Sequence, residues 1–250
     1  DESLKKYFYK PLINFGLRPD VIDEETDLEK YDIVFSPLMI TLDQGNLRER
    51  ITKWVENGGI WITGPMTDIR TKDGTRFTDR LHGMLETLTP AVFKYWFPDK
   101  EKSVKSKWNN GEDFDGNTYY EVFETNNSAD IVTVIDGHKE IIGGSILQCF
   151  PVGKGFVYVL GTMPDEKDMN KLVESVCEKA GVPCNNAEGN SVVVSPRKGK
   201  TTQGVILVDV CGKGGIYHNE IKYRDIISEK IFESDITVKP YEVMVLEKIR

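Results

Sequence analysis

At 250 residues, with 39% hydrophobic and 29% charged side chains, the sequence holds enough for one large domain or a medium and a small one around a real core. A net charge of −8 argues against nucleic acid and anionic membranes, which need clustered Lys and Arg; Lys100-Glu101-Lys102 and Arg197-Lys198 are ringed by acids and read as solvated loops. No apolar run approaches the ~20 residues that span a bilayer, and no signal peptide is visible, so neither nucleic acid nor membrane is an expected partner.

Leu4 to Phe15 reads as a helix with Leu4, Phe8, Leu12 and Phe15 on one face and Gly16 as its stop. A short strand is expected around Pro19-Asp20-Val21-Ile22, then a continuous apolar strand at Asp32-Ile33-Val34-Phe35, of the kind found in buried parallel sheets. Residues 43 to 57 form the clearest helix. Leu47, Ile51, Trp54 and Val55 share a face, and Gly58-Gly59 ends it before the apolar strand Ile60-Trp61-Ile62-Thr63. This β-α-β order predicts a parallel sheet with helices on both faces.

A polar loop with Asp68, Arg70, Lys72, Asp73 and Gly74 follows, and then a short helix from about Asp79 to Leu88. Residues 94 to 150 change character. They are aromatic and turn-rich, with alternation at Tyr119 to Phe123, and read as an antiparallel excursion inserted in the α/β domain. The α/β pattern resumes at Phe156 to Leu160, and a helix from about Asp165 buries Met169, Leu172, Val173, Val176 and Ala180 before Gly181. Past the polar linker Pro183 to Asn190 come only short strands: Ser191 to Val194, Gly204 to Val210, Tyr217 to Tyr223 and Glu242 to Leu246. Such a run predicts a small all-β module of the sandwich or barrel kind. The expected domains are 1–186, with the excursion at about 94–150, and 190–250.

Chemistry is sparse. Cys149, Cys177, Cys184 and Cys211 contain no CxxC pair and no His at ligand spacing, so a metal site is not expected. Cys177 and Cys184 allow a disulfide without requiring one, and the cysteine usage fits a reducing cytoplasm. Gly153-Lys154-Gly155 invites a phosphate-loop reading, but it precedes a strand rather than a helix, and a hairpin turn accounts for it. Gly58-Gly59 runs in the reverse of dinucleotide-binding order. Gly143-Gly144-Ser145 is an incomplete nucleophile elbow, because position 147 is Leu. Cys211 sits beside Gly212 with no helix after it. His82, His138 and His218 lie in a helix, a turn and the β module, without a local triad signature. Asp68 and Asp73 stand near the carboxyl end of a parallel strand, where α/β sites form, though a turn-forming role is the simpler reading. No catalytic residue, cofactor or metal site is assigned.

In order, Tyr9-Lys10-Pro11-Leu12, Asp20-Val21-Ile22, Asp27-Leu28, Tyr31 to Pro37, Trp54 to Thr63, Pro151 to Thr162 and Ala180-Gly181-Val182 resemble the trimerisation domain of glycoside hydrolase family 42 β-galactosidases. Ser195 to Lys198 and Val238 to Leu246 resemble that family's small C-terminal β domain. The resemblance covers nearly the whole chain; residues 94–150 depart from it most. It implies an α/β fold: a flavodoxin-like, class I glutamine-amidotransferase-like three-layer domain followed by a small all-β domain. It also implies a homotrimer, no cofactor, and a separate (β/α)₈ barrel that carries both catalytic glutamates of a retaining mechanism. Such a barrel takes about 250 residues and is absent here, which fits a chain starting at Asp1. The expectation is therefore a non-catalytic structural portion of a cytoplasmic β-galactosidase-like hydrolase, partnered by its own copies and the missing barrel. Two other classes stand beside it: a stand-alone glutamine-amidotransferase-like enzyme, and a carbohydrate-binding module using Trp96, Trp108 and Tyr119.

Overall fold

The computed structural model describes residues 2–14, 17–99, 102–182, 187–188 and 192–249. The chain divides into two compact units, one of Ile22–Val182 and one of Asp1–Val21 with Pro183–Arg250.

The N-terminal segment is helical from α1 (Glu2–Leu4) through a π turn (Lys5–Tyr9) to α2 (Lys10–Asn14), and it buries Phe8 and Leu12 as their spacing predicts. Phe15 and Gly16 lie outside the described residues. The stretch from Pro19 to Ile22 is not a strand. It is a bare connector with Val21 88% exposed, because an isolated extended run with no neighbouring strand has nothing to bond its backbone.

In the larger unit, β1 (Ile33–Ser36) leads through α3 (Leu47–Glu56) to β2 (Ile60–Thr63), and β1 and β2 pair in parallel. All four residues of β2 are buried. Leu47, Ile51, Trp54 and Val55 of α3 are buried against Trp61, Val157 and Val159. Each such side chain contributes about 1.5–3 kcal/mol of transfer free energy. The helix expected over 79–88 shortens to α4 (Leu85–Leu88). Its preceding turn is lost because the backbone N–H groups of Leu81 and His82 donate to Glu86 Oε1, at 3.0 and 2.9 Å, and that of Gly83 donates to Asp68 O.

The excursion is antiparallel throughout: β3 (Phe93–Asp99), β4 (Lys105–Trp108), β5 (Asp113–Phe114), β6 (Gly116–Phe123), β7 (Asp130–Asp136) and β8 (Ser145–Val152). It extends the parallel sheet rather than forming a separate one. With β9 (Gly155–Leu160) the strand order is β1-β2-β9-β8-β7-β4-β5, while β6 pairs with β3, β8 and β10 (Thr162–Pro164). β9 joins β2 in parallel and β8 antiparallel, so it is the seam between the two halves of the sheet. α5 (Glu166–Ala180) covers the other face, where Lys179 Nζ lies 3.9 Å from the ring centroid of Phe156 and Ser175 hydrogen-bonds Tyr158. Phe156 and Tyr158 alternate with Val157 and Val159, which face α3, so the sheet carries helices on both faces.

The smaller unit forms two sheets. One is β11 (Ala187–Glu188), β14 (Gly215–Tyr217) and β17 (Ile236–Val238); the other runs β12 (Val192–Lys198), β13 (Gln203–Asp209), β18 (Val243–Lys248), β15 (Tyr223–Asp225) and β16 (Ile231–Phe232). Pro196 is tolerated because β12 is an edge strand. Ser195 Oγ accepts from Arg18, and α2 packs along β12, so the N-terminal segment is part of this unit. Tyr217 to Tyr223, expected as one strand, is split by a loop that the Asn219 side chain holds through Ile221 N–H and Ser234 O. Most of the expected linker, and Cys184, lie outside the described residues.

Candidate functional site

The carboxyl end of β2, the usual address of an α/β site, carries a dense polar cluster. The loop that follows holds Met66 and Asp68 in left-handed backbone, at φ 63° and 58°. The Asp68 carboxylate is fully buried and accepts from both terminal nitrogens of Arg48, from Met84 N–H and from Leu42 N–H. Arg48 also donates to Asp43 at 3.0 Å. Asp68 is thus the clamp tying α3 to the 81–84 turn. Asp73 is exposed on the loop beyond, so the two carboxylates flagged in sequence are not brought together.

Beside the clamp, His82 and Glu121 are 1% and 2% exposed. His82 Nδ1 lies 2.8 Å from Thr67 O; a carbonyl only accepts, so Nδ1 carries the proton. Nε2 then presents a lone pair with no hydrogen bond, 3.7 Å from Glu121 Oε1. Glu121 Oε2 accepts from Met66 N–H at 3.0 Å. Burial pushes the Glu121 carboxyl up to about 8, and that single N–H only partly offsets it. Burial likewise holds the His82 imidazole below its ordinary value. At neutral pH the pair is an uncharged acid facing an uncharged base. It holds a proton but is closed to solvent. Sequence reasoning missed it because Glu121 lies on a strand otherwise read as aromatic and alternating, and the contact joins residues far apart in the chain.

The remaining candidates have plain structural roles. Gly153 and Lys154 form the tip of the β8–β9 hairpin, with Gly153 at φ 59°. A Cβ on Gly153 would stand 2.6 Å from Glu56 Cα, and one on Gly155 would strike the carbonyls of Gly59 and Val55. The glycines seat the hairpin against the end of α3. Ser145 is fully buried at the start of β8, its hydroxyl donating to Val132 O and Leu147 O. Cys149 lies mid-strand in β8, and burial pushes its thiol up, against a smaller opposing effect of its hydrogen bond with Tyr158. His138 is in an exposed turn, and His218 pairs with Asp235 at 2.9 Å in the smaller unit. Trp108 is buried, donates to Asp168 Oδ1 at 2.6 Å and packs edge-on to Phe114, which removes it from any sugar platform. Asp115, Asp165 and Asp168 bring carboxylate oxygens within 4.8 Å of one another. Both oxygens of Asp168 are engaged, by Trp108 and by Asp115 N–H, and Asp165 accepts from Asp168 N–H as the cap of α5; for these two carboxylates this is helix-terminus chemistry. Burial raises the Asp168 carboxyl. A groove of about 740 Å³ runs along α3 past Arg48, Phe77 and Arg80, with charges of both signs on its walls.

A parallel core continued by antiparallel strands, with the Asp68–Arg48 clamp tying α3 to the loops beyond β2, defines a mixed, sheet-rich α/β module. A family model described as the beta-galactosidase trimerisation domain matches residues 1–183, and the chain belongs to that family. The chain is 28% identical over 243 residues to β-galactosidase YesZ of Bacillus licheniformis, covering 96% of this chain and 36% of the relative. Its identity to YesZ of Bacillus subtilis is also 28%, over 255 residues, covering 98% and 37%. Among solved structures, β-galactosidase from Bacillus circulans sp. alkalophilus superposes with a TM-score of 0.86 at 20% identity, covering 99% of this chain and 37% of that one. The β-galactosidase of Halorubrum lacusprofundi gives 0.80 at 20%, covering 98% and 35%. The chain therefore spans little more than a third of the length of these relatives.

Proposed function

We propose that this chain is the non-catalytic, self-associating portion of a β-galactosidase-like glycoside hydrolase. The parent reaction is retaining hydrolysis of terminal β-galactosides, carried by two glutamates on a barrel outside this chain. The match of the trimerisation-domain model to residues 1–183 carries this reading. The family resemblance points to a homotrimer. It also points to a flavodoxin-like, glutamine-amidotransferase-like description of the larger unit, supported by the parallel run β1-β2-β9 with helices on both faces. In family terms the domains are 1–186 and 190–250. Cysteine usage supports a cytoplasmic setting. A stand-alone amidotransferase-like enzyme draws no support from Cys149, whose thiol is mid-strand and pushed up rather than activated at a strand-to-helix elbow. The test is the gene: a contiguous coding segment for a barrel with two facing glutamates is expected, and a gene without one overturns the reading.

A further inference from the structure

We propose that Thr67, His82 and Glu121 form a pH-sensitive latch on the Thr67–Asp68 peptide unit, closed while a proton lies between His82 Nε2 and Glu121 Oε1 and released when that proton leaves. The latch governs the loop after β2 and is independent of how the chain associates.

The imidazole stands between two acceptors. Nδ1–H donates to Thr67 O at 2.8 Å, and Nε2, with no hydrogen bond, faces Glu121 Oε1 at 3.7 Å, about 0.5 Å beyond hydrogen-bond range. While Glu121 is protonated, its O–H supplies the second link, so the run from Thr67 O through His82 to Glu121 has a proton for each gap. Once that proton is lost, a neutral ring has one N–H for a carbonyl on one side and a buried carboxylate on the other. The charged acceptor is the stronger, so the ring proton moves to Nε2. Nδ1 then turns a lone pair on Thr67 O, and the two repel. Burial raises the Glu121 carboxyl to about 8, so its proton is held at neutral pH and lost as pH rises through that value.

The backbone has a second conformation to take. Thr67 O and Asp68 N–H belong to one planar peptide unit. In the latched state that N–H donates to Met39 O at 2.9 Å, and Asp68 sits at φ 58°, left-handed backbone that a non-glycine residue occupies only at a cost. Turning the unit over carries Thr67 O away from His82, takes Asp68 N–H off Met39 O and returns the Asp68 φ to negative values. The charged and titratable groups around the pair are otherwise engaged or neutral. Glu86 spends Oε1 on the Leu81 and His82 N–H groups, Asp68 accepts from Arg48, and burial pushes the Tyr119 phenol up, so it stays uncharged. Phe93 of β3 and Phe123 of β6 face His82 with rings alone, at 5.6 and 6.0 Å between centroids.

Nitrogen-15 NMR of the histidines, with amide hydrogen exchange of Asp68 corrected for its intrinsic rate, tests this between about pH 6 and pH 9.5 on the full chain and on Glu121→Gln. Wild-type His82 is expected to carry its proton on Nδ1 at the lower end and on Nε2 at the upper, with Asp68 protection falling at least ~10-fold. In Glu121→Gln the side-chain amide donates to Nε2 at every pH, so Nδ1 keeps its proton and protection stays within about twofold. Should Glu121→Gln unfold, the wild-type titration decides alone. A proton that stays on Nδ1 throughout overturns the latch. So does a tautomer change that leaves Asp68 protection intact, or the same loss of protection in both proteins.

Discussion

Gly155 sits where β9 passes so close to the end of α3 that no side chain fits. Gly155→Ala is therefore expected to cost about 1–3 kcal/mol in urea unfolding, whereas Lys154→Ala, at an exposed hairpin tip, stays within about 0.5 kcal/mol. Equal effects would remove the close-packing account of this motif. The order of the motif before a strand made its turn role legible in the sequence. Its second role, fitting the carbonyls of Val55 and Gly59, was not, since close approach between distant segments leaves no local signal. Glu121 and His82 give a pH prediction at the same scale. The Glu121 pKa is raised on folding to about 8 from 4.5, so the folded chain holds more protons than the unfolded one between those values. The Glu121 contribution is full below pH 4.5 and is lost as pH rises through about 8. His82 is depressed, so its contribution is present above the ordinary histidine pKa of 6.5 and is lost as pH falls. Glu121→Gln is expected to flatten the alkaline decline, gaining on the order of a few kcal/mol relative to wild type at pH 9 and little at pH 5. Parallel stability curves for the two proteins across pH 5–9 would contradict the assignment.

At the scale of elements, α3 and β2 were readable because their apolar residues follow one period without interruption. The turn at 79–84 was not. Its residues have helix-compatible spacing, but Glu86 and Asp68 take up backbone N–H groups across Leu81 to Met84. Asp68 looked like a loop acid in sequence and is the fully buried partner of Arg48. Asp68→Asn is expected to destabilise the chain by about 1–3 kcal/mol, because it removes the buried one of the two carboxylates that hold the Arg48 guanidinium. The double variant with Arg48→Met should lose less than the sum of the singles, and strict additivity would show that the clamp does not act as a pair. Trp108, weighed as a sugar-stacking residue, joins β4 to α5 instead. Trp108→Phe is expected to cost about 1.5–3 kcal/mol through the lost bond to a carboxylate, measured by thermal unfolding, with no change in any galactoside calorimetry.

For the whole molecule, the ordered blocks at Tyr31–Pro37, Trp54–Thr63 and Pro151–Thr162 are the strands, helix ends and hairpin of the β1-β2-β9 core, which is why the family could be read from them. The aromatic excursion was legible as antiparallel but not as a continuation of the same sheet. The pairing of β4 with β7 and of β6 with β3 joins segments that no local turn links. The buried acid and base near β2 are sealed from solvent, and the proposed function rests on association. The central claim is tested most directly by sedimentation equilibrium of the unmodified chain over a wide concentration range. The account predicts reversible assembly converging on three times the chain mass. A single species of one chain mass at every concentration would contradict it.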